Sequence, residues 1–386
     1  MEPRERILTT LAHKEPDHVP FDLGGTVDTG IHVDPYRKLL AYLGMNKDRT
    51  ITSAEYGMNL AMVDDDIVDA LKIDTVPVLL TAVKDFYYKE MYREGKYDVM
   101  RDAYGLKYLK PVVGGLYYDL RTNPLSGKVT ADDIDAFDWP DFSQPAMIEA
   151  MRAAAEKAAR GTDRAVVLTA CDAGILERAT WLRGFNDMMI SLGTDTSTAE
   201  RLLDIITDIH LRYWEAALDV MGDLVHVVVE ADDLGMQDRL MISPNWYRKY
   251  IKPRHKKVFS LIKRKAPNVR IFFHSCGAIS KLIPDFIDVG IDVLNPIQLS
   301  AAGMDIRQLK RDFGNTLTFW GGGIDTQNTL PKGSPEQIKD EVKRNLDVLA
   351  PGGGYVFSTV HNIQPDVPVE NIIAMWEALQ EYGVYT

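Results

Sequence analysis

The sequence has few cysteines, no long apolar run and no excess of positive charge. Cys171 and Cys276 are the only cysteines. A secreted chain stapled by disulfides would use more, so the two thiols point to a reducing compartment. No stretch of about 18 consecutive apolar residues occurs, and no transmembrane helix is expected. The opening Met1-Glu2-Pro3-Arg4-Glu5-Arg6 has no apolar segment behind it, which argues against a signal peptide. A cytoplasmic location follows by elimination. Lys and Arg total 44 against 56 Asp and Glu, a net charge of -12, with a pI near 5.2. Such an acidic chain suits neither nucleic acid nor an anionic membrane as partner. Short-period repeats and low-complexity tracts are also lacking.

What is present is a core-forming composition and a rhythm. The 386 residues are 46% hydrophobic and 26% charged, which suits a globular protein with a large interior. Apolar runs without alternation recur near 18–23, 73–80, 165–169, 225–230, 269–273, 292–295, 317–320 and 355–359. Unalternating runs suit strands buried on both faces. Helical patterns follow them, among them 35–43, 146–159, 176–191, 197–221, 244–265, 279–289, 306–313, 335–349 and 368–382. Ser243 before Pro244 forms a helix start. Residues near 84–128 break the rhythm. They are Tyr-rich, alternate polar with apolar, and carry Glu94-Gly95 and Gly114-Gly115 turns, which reads as an antiparallel β insertion. Its Phe86, Tyr87, Tyr88 and Tyr92 read as packing of that hairpin. The fold class is therefore α/β: a single (β/α)8 TIM barrel spanning residues 1–386, with the insertion. An open doubly wound sheet is the alternative.

In such barrels the chemistry sits at the C-terminal ends of the strands. Those ends carry Asp22, Cys171-Asp172, Glu230-Ala231-Asp232-Asp233, His274-Ser275-Cys276-Gly277, Asn295-Pro296-Ile297-Gln298, Gly321 to Asp325, and His361-Asn362. His274 and Cys276 stand two apart, so both side chains point to one side of an extended strand. Imidazole and thiolate together suit zinc. A buried thiol beside a hydrogen-bonded imidazole would give the same tripeptide. His361 and Glu230 are the favoured remaining ligands, with Gln298 next and Cys171 last. Asp232 and Asp233 are candidates for acid/base work or substrate positioning, or for capping the next turn. Asp22, Asn295, Gln298 and Asp325 are candidate substrate contacts. Gly321-Gly322-Gly323 lets backbone approach a ligand but lacks dinucleotide-fingerprint spacing.

Several of these segments together carry a family resemblance. Pro3-Arg4-Glu5-Arg6, Pro20-Phe21-Asp22, Asp232-Asp233-Leu234-Gly235, His274-Ser275-Cys276-Gly277, Asn295-Pro296-Ile297-Gln298 and Gly322-Gly323-Ile324-Asp325 resemble the uroporphyrinogen decarboxylase superfamily along nearly the full length. The decarboxylases of that superfamily open with Arg-Gln-Ala-Gly-Arg, where this chain has Phe21-Asp22-Leu23-Gly24-Gly25, without arginine. They lack the His-x-Cys pair and need no metal. The chain is more similar to the second branch, the zinc-dependent corrinoid methyltransferases. That resemblance implies zinc, a partner corrinoid protein whose cobalamin exchanges the methyl group, and a small-molecule methyl donor. Barrels of the family often form homodimers. A later Cys in a Pro-Gly-Cys-Gly segment completes the zinc site of the branch that methylates coenzyme M. The matching stretch here reads Pro351-Gly352-Gly353-Gly354. A site with fewer thiolates is more Lewis acidic, which implies demethylation of a methoxylated compound, with an aromatic ring as one form. A methylcobamide-to-thiol or folate methyltransferase, a metal-free lyase and a non-enzymatic binding protein are the other readings.

Overall fold

The computed structural model describes residues 1–385. Seven short parallel strands form one curled sheet. In spatial order they are Tyr355–Val356, Thr318–Trp320, Val293–Asn295, Arg270–His274, Val227–Ala231, Ala165–Leu168 and Thr75–Val78. Residues 20–22 fill the gap between the two outer strands. Phe21 bridges Phe357 in parallel. The Phe357 amide donates to the Pro20 carbonyl at 2.8 Å, and the Asp74 amide to the Phe21 carbonyl at 2.8 Å. The ring therefore closes. The Asp22 amide also donates to the Phe357 carbonyl at 2.9 Å, but the expected first strand at 18–23 forms isolated bridges rather than a continuous ladder, because Pro20 cannot donate to one.

Alternation along each strand separates two cores. Val167, Val227, Val229, Phe272, Val293, Trp320 and Val356 fill the barrel interior. Helix Pro3–Leu11 plugs its lower end through Ile7 and Leu11. The intervening residues, such as Val166, Val228, Ile271 and Phe273, pack outward against the helices. This outer layer includes helices Pro145–Gly161, Thr196–Met221, Pro335–Leu349 and Val369–Tyr382.

Two long helical expectations are interrupted. Gly184, at φ 83°, splits the 176–191 stretch into Ile175–Arg183 and Phe185–Thr194. Ser243 does cap the next helix, accepting from the Trp246 amide at 3.2 Å. However, Pro253 lacks the amide an α-turn needs, and the helix widens into a π-turn at Tyr247–Ile251 before Lys252–Lys265. The insertion is a four-stranded antiparallel meander, Tyr88–Glu94, Tyr97–Asp102, Lys107–Pro111 and Asp119–Leu120. A small three-stranded sheet, Ile31–His32, Ser53–Glu55 and Leu60–Ala61, lies outside the sequence expectation. Its strands are too short to leave a periodic signal.

Candidate metal centre and substrate cavity

The strand Arg270–His274 ends at the C-terminal mouth and turns sharply through Gly277. That glycine has φ 91°, and a Cβ on it would lie 2.5 Å from the Gly235 carbonyl carbon. Only a glycine allows the 232–236 and 274–278 loops to approach so closely. The Asp233 carboxylate accepts from the Cys276 amide at 2.8 Å, and Gln298 Oε1 accepts from the Gly277 amide at 2.6 Å. These bonds set the direction of the Cys276 side chain.

His274, Cys276 and His361 come together, with one ligand atom from each lying within 4.8 Å of the others. Cys276 Sγ is 3.5 Å from His274 Nε2. Bonds of about 2.3 Å to sulfur and about 2.0 Å to nitrogen, at a tetrahedral angle, would separate two zinc ligands by about 3.5 Å. The donor set and its spacing thus fit a zinc-type ion. Asn295 is the orienting residue. Its Oδ1 accepts from His274 Nδ1–H at 2.6 Å, and its Nδ2 donates to the Trp320 carbonyl at 2.8 Å, which fixes the amide's sense. Nδ1 carries the bonded proton, which leaves Nε2 as the nitrogen facing Cys276. Burial works against the imidazolium, but Asp28, Cys276 and Asp233 outweigh it and raise the His274 pKa well above its usual value, so an ion bound there would displace the Nε2 proton. Burial lowers the His361 pKa, with nearby His274 adding to the effect, so this ring is held neutral, the form that ligates. Burial pushes the Cys276 thiol up against the pull of His274.

Asp28 joins the cluster, and sequence reasoning missed it. Its carboxylate lies 3.5 Å from His274 Nδ1 and 3.9 Å from His361 Nε2. It sits on the loop after residues 20–22, held where Thr26 Oγ1 accepts from the Asp28 amide at 3.1 Å. Glu177 was also missed. It comes from the first turn of helix Ile175–Arg183 and lines the same cavity. Burial, then Asp233 and Asp232, push its carboxyl group up to about 8.

Other candidates are placed elsewhere. Glu230 follows inward-facing Val229 and so points out of the barrel. There it accepts from the Trp214 indole and meets His210 Nδ1 at 3.0 Å. It is no partner of His274. Asp232 is fully buried. It accepts from the Leu176 and Glu177 amides at 3.0 and 2.9 Å and meets His255 Nε2 at 3.1 Å. It caps a helix and is not an acid/base group of the cavity. Asp22 is a structural clamp rather than a substrate contact: it accepts from the Thr75 hydroxyl at 2.6 Å, the Gly25 amide at 2.8 Å and the Trp320 indole at 2.8 Å. Gln298 spends its amide on Gly277 and on Gln237 Oε1, 3.1 Å away. Asp325 folds its own loop, accepting from the Gln327 amide and Asn328 Nδ2 at 2.8 and 2.9 Å. Cys171 is buried apart from the triad. The Gly321–Gly323 backbone meets Ile297 and Phe357 rather than open space. Gly353 lies at the opposite end of the barrel, where a Cβ would come 2.4 Å from the Lys14 carbonyl oxygen. It is therefore not the place of a missing thiolate. From the last strand, the residue facing the centre is His361.

Two of the three, His274 and His361, line a cavity of about 580 Å³. One wall is the insertion, which supplies Tyr88, Tyr108, Tyr117 and Tyr118, with Tyr87 and Trp181 beside them. These tyrosines do more than pack the hairpin, although Tyr92 is exposed. Among the described residues no lysine or arginine lines the cavity, although Lys110 Nζ lies 4.8 Å from the ring centre of Tyr118.

The uroporphyrinogen decarboxylase (URO-D) family profile matches residues 117–382. This stretch covers well over half of the chain and holds the His-x-Cys pair and His361. The chain belongs to the uroporphyrinogen decarboxylase family. Among its relatives, the methylcobamide:CoM methyltransferase MtaA of Methanosarcina barkeri is 28% identical over 191 residues, 48% of this chain and 50% of that protein. The uroporphyrinogen decarboxylase of Bacillus subtilis is 27% identical over 181 residues, 44% of this chain and 47% of that one. The chain thus spans about half the length of the curated relatives it matches. A solved methyltransferase from Methanosarcina mazei superposes with a TM-score of 0.66 at 21% identity, covering 99% of both chains, which shows a shared fold. No helix among the described residues is long and apolar enough to cross a membrane.

Proposed function

We propose that this family member is a zinc-dependent methyltransferase that moves a methyl group from a methoxylated small molecule to the cob(I)alamin of a corrinoid protein. The observation that carries this reading is the convergence of His274, Cys276 and His361 at the barrel mouth. A decarboxylase acting on a polycarboxylate would need several cations there, and the cavity lining offers neither lysine nor arginine.

His274 Nε2, Cys276 Sγ and a His361 nitrogen would hold the ion. Zinc bound there supplies Lewis acidity to the ether oxygen as it departs. The remaining roles fall to the protein. Asn295 fixes the His274 ring. Asp233 holds the Cys276 loop and lies 3.7 Å from His274 Nε2. Glu177, a carboxylic acid at neutral pH, supplies the proton that the leaving oxygen takes up. The aromatic wall excludes water. In the balanced reaction the carbon–oxygen bond breaks and a cobalt–carbon bond forms. The electron pair comes from Co(I), which becomes formally Co(III), and the demethylated alcohol or phenol leaves protonated.

A second reading, methyl transfer from methylcobamide to a thiol, is favoured by the name of the Methanosarcina barkeri relative. The absence of lysine and arginine from the lining disfavours an acceptor that carries a sulfonate.

The test is metal content by elemental analysis together with the absorbance change of a corrinoid partner under reducing conditions. Cys276→Ser should lose both zinc and methyl transfer. Full zinc and full turnover in that variant would refute the site.

A further inference from the structure

Glu177 is gripped by its backbone. Among the described residues no hydrogen bond reaches its carboxyl group. Its amide donates to Asp232 at 2.9 Å, beside that of Leu176 at 3.0 Å. Gly174 lets this helix end come so close, since a Cβ on it would lie 2.2 Å from the Ala231 carbonyl oxygen and 2.5 Å from Asp232 Oδ1. The next residue, Asp233, accepts from the Cys276 amide at 2.8 Å. The dipeptide Asp232-Asp233 thus sets the helix end that carries Glu177 against the loop that carries Cys276.

Asp232 is itself held from behind. It accepts from His255 Nε2–H at 3.1 Å. That leaves His255 Nδ1 to accept from the Tyr247 hydroxyl at 3.2 Å. Burial pushes the Tyr247 phenol up, which keeps it protonated. All three side chains are buried. The imidazole stacks on Phe259 at 5.5 Å and meets Phe273 edge-on at 5.2 Å, so its plane is clamped. The π-turn makes this chain possible. Tyr247 and His255 stand eight residues apart. In an uninterrupted α-helix that spacing leaves two side chains roughly 80° apart around the axis. Here the Lys252 amide reaches back to the Tyr247 carbonyl, which adds one residue to the turn. The offset falls to about 20°, as for a seven-residue spacing, and the two side chains share one face.

We infer that Tyr247 and His255 are positioning residues. Through Asp232 they hold the helix end that carries Glu177, and so fix where its carboxyl group stands relative to the candidate metal centre. The inference rests on the proposed role of Glu177 and adds two residues that touch neither substrate nor ion.

Two measurements on the full chain test it. Deuterium exchange needs no turnover. His255→Leu should speed exchange of the Leu176 and Glu177 amides at least about tenfold and leave those of Thr318–Trp320 within about twofold. Tyr247→Phe, which removes one oxygen atom, should speed the same two amides at least about threefold, and it decides the matter if the leucine variant does not fold. The second measurement is methyl transfer from 2-methoxyphenol or 1,2-dimethoxybenzene to cob(I)alamin, followed by absorbance. His255→Leu should lower kcat at least about tenfold, with KM within about twofold and zinc content unchanged. His255→Gln, whose amide can donate to Asp232, should recover to within about threefold of wild type. In the Glu177→Gln background, His255→Leu should cost no more than about threefold, because the two act through one group. Unchanged exchange at Leu176 and Glu177 overturns the inference. So does an unaltered kcat in His255→Leu, or a larger loss in the Glu177→Gln background, which would mean that His255 acts on something other than Glu177. The parent reading fails separately. In that case the wild-type chain gives no methylcobalamin from either ether, while the exchange of the two amides still decides whether the chain from Tyr247 anchors the helix end.

Discussion

Two residues that touch no ion carry the sharpest expectations. Asn295 presents its carbonyl to His274. Asn295→Leu should weaken zinc binding about 10- to 100-fold, as loss of a ligand's orienting partner does; competition with a chromogenic chelator measures it. A smaller loss would mean that packing alone orients the ring. Glu177→Gln removes the proposed proton source, and under the proposed reaction methyl transfer should fall about 10²- to 10⁴-fold. The acid form is populated below about 8, so wild-type activity should be present at neutral pH and decline as pH rises through 8. The variant's profile should be flat there. An unchanged high-pH limb in Glu177→Gln would reassign the titration.

At the scale of elements, the helix Ile175–Arg183 joins barrel to insertion through Arg178. Its guanidinium ties Asp172, after the strand Ala165–Leu168, to Asp102 of the meander. Arg178→Met leaves two carboxylates buried without a counter-ion. The expected loss is about 3–5 kcal/mol, read from urea unfolding of this variant against wild type. The outward-facing pair of His210 and Glu230 gives a pH test. Burial works against the imidazolium, but Glu230 outweighs it and raises the His210 pKa to about 9. The folded state then binds a proton that the unfolded state releases above about 6.5. The stabilisation is fully present below 6.5 and lost as pH rises through 9. Unfolding free energy should fall across that window, and His210→Gln should remove the slope.

The same elements mark what was legible in the sequence. Reading polar residues at strand ends located His274, Cys276 and His361, because barrel geometry converts distant strand ends into neighbours. It misplaced Glu230, although the two-residue alternation inward through Val227 and Val229 carries the signal that this side chain points away. Asp28 and Glu177 left no readable trace. One sits on a loop and the other in a helical turn, and only the closed ring brings them to the mouth. The meander was legible from its turns, but the use of its tyrosines depends on hydroxyl partners far away in sequence.

At the scale of the whole molecule, closure of the barrel rests on few bonds. Asp22 concentrates them, gripping Thr75 on one side and Trp320 across the interior. Asp22→Ala strands a buried indole N–H and a buried hydroxyl. It should cost about 2–4 kcal/mol, seen as a lower denaturant midpoint with the slope unchanged.

The centre draws on both sides of that closure. His274 and Cys276 belong to one strand end, while His361 follows the last strand and Asp28 follows residues 20–22, the two segments that meet where the ring shuts. An ion gripped by this set would act as a clasp on the seam. Chelation should therefore do more than silence chemistry: amides near 28–32 and 357–363 should exchange with deuterium faster, while those of Val227–Ala231 stay protected. Such a clasp would link metal supply to the lifetime of the fold, so that a metal-starved cell would hold a protein that is easier to degrade.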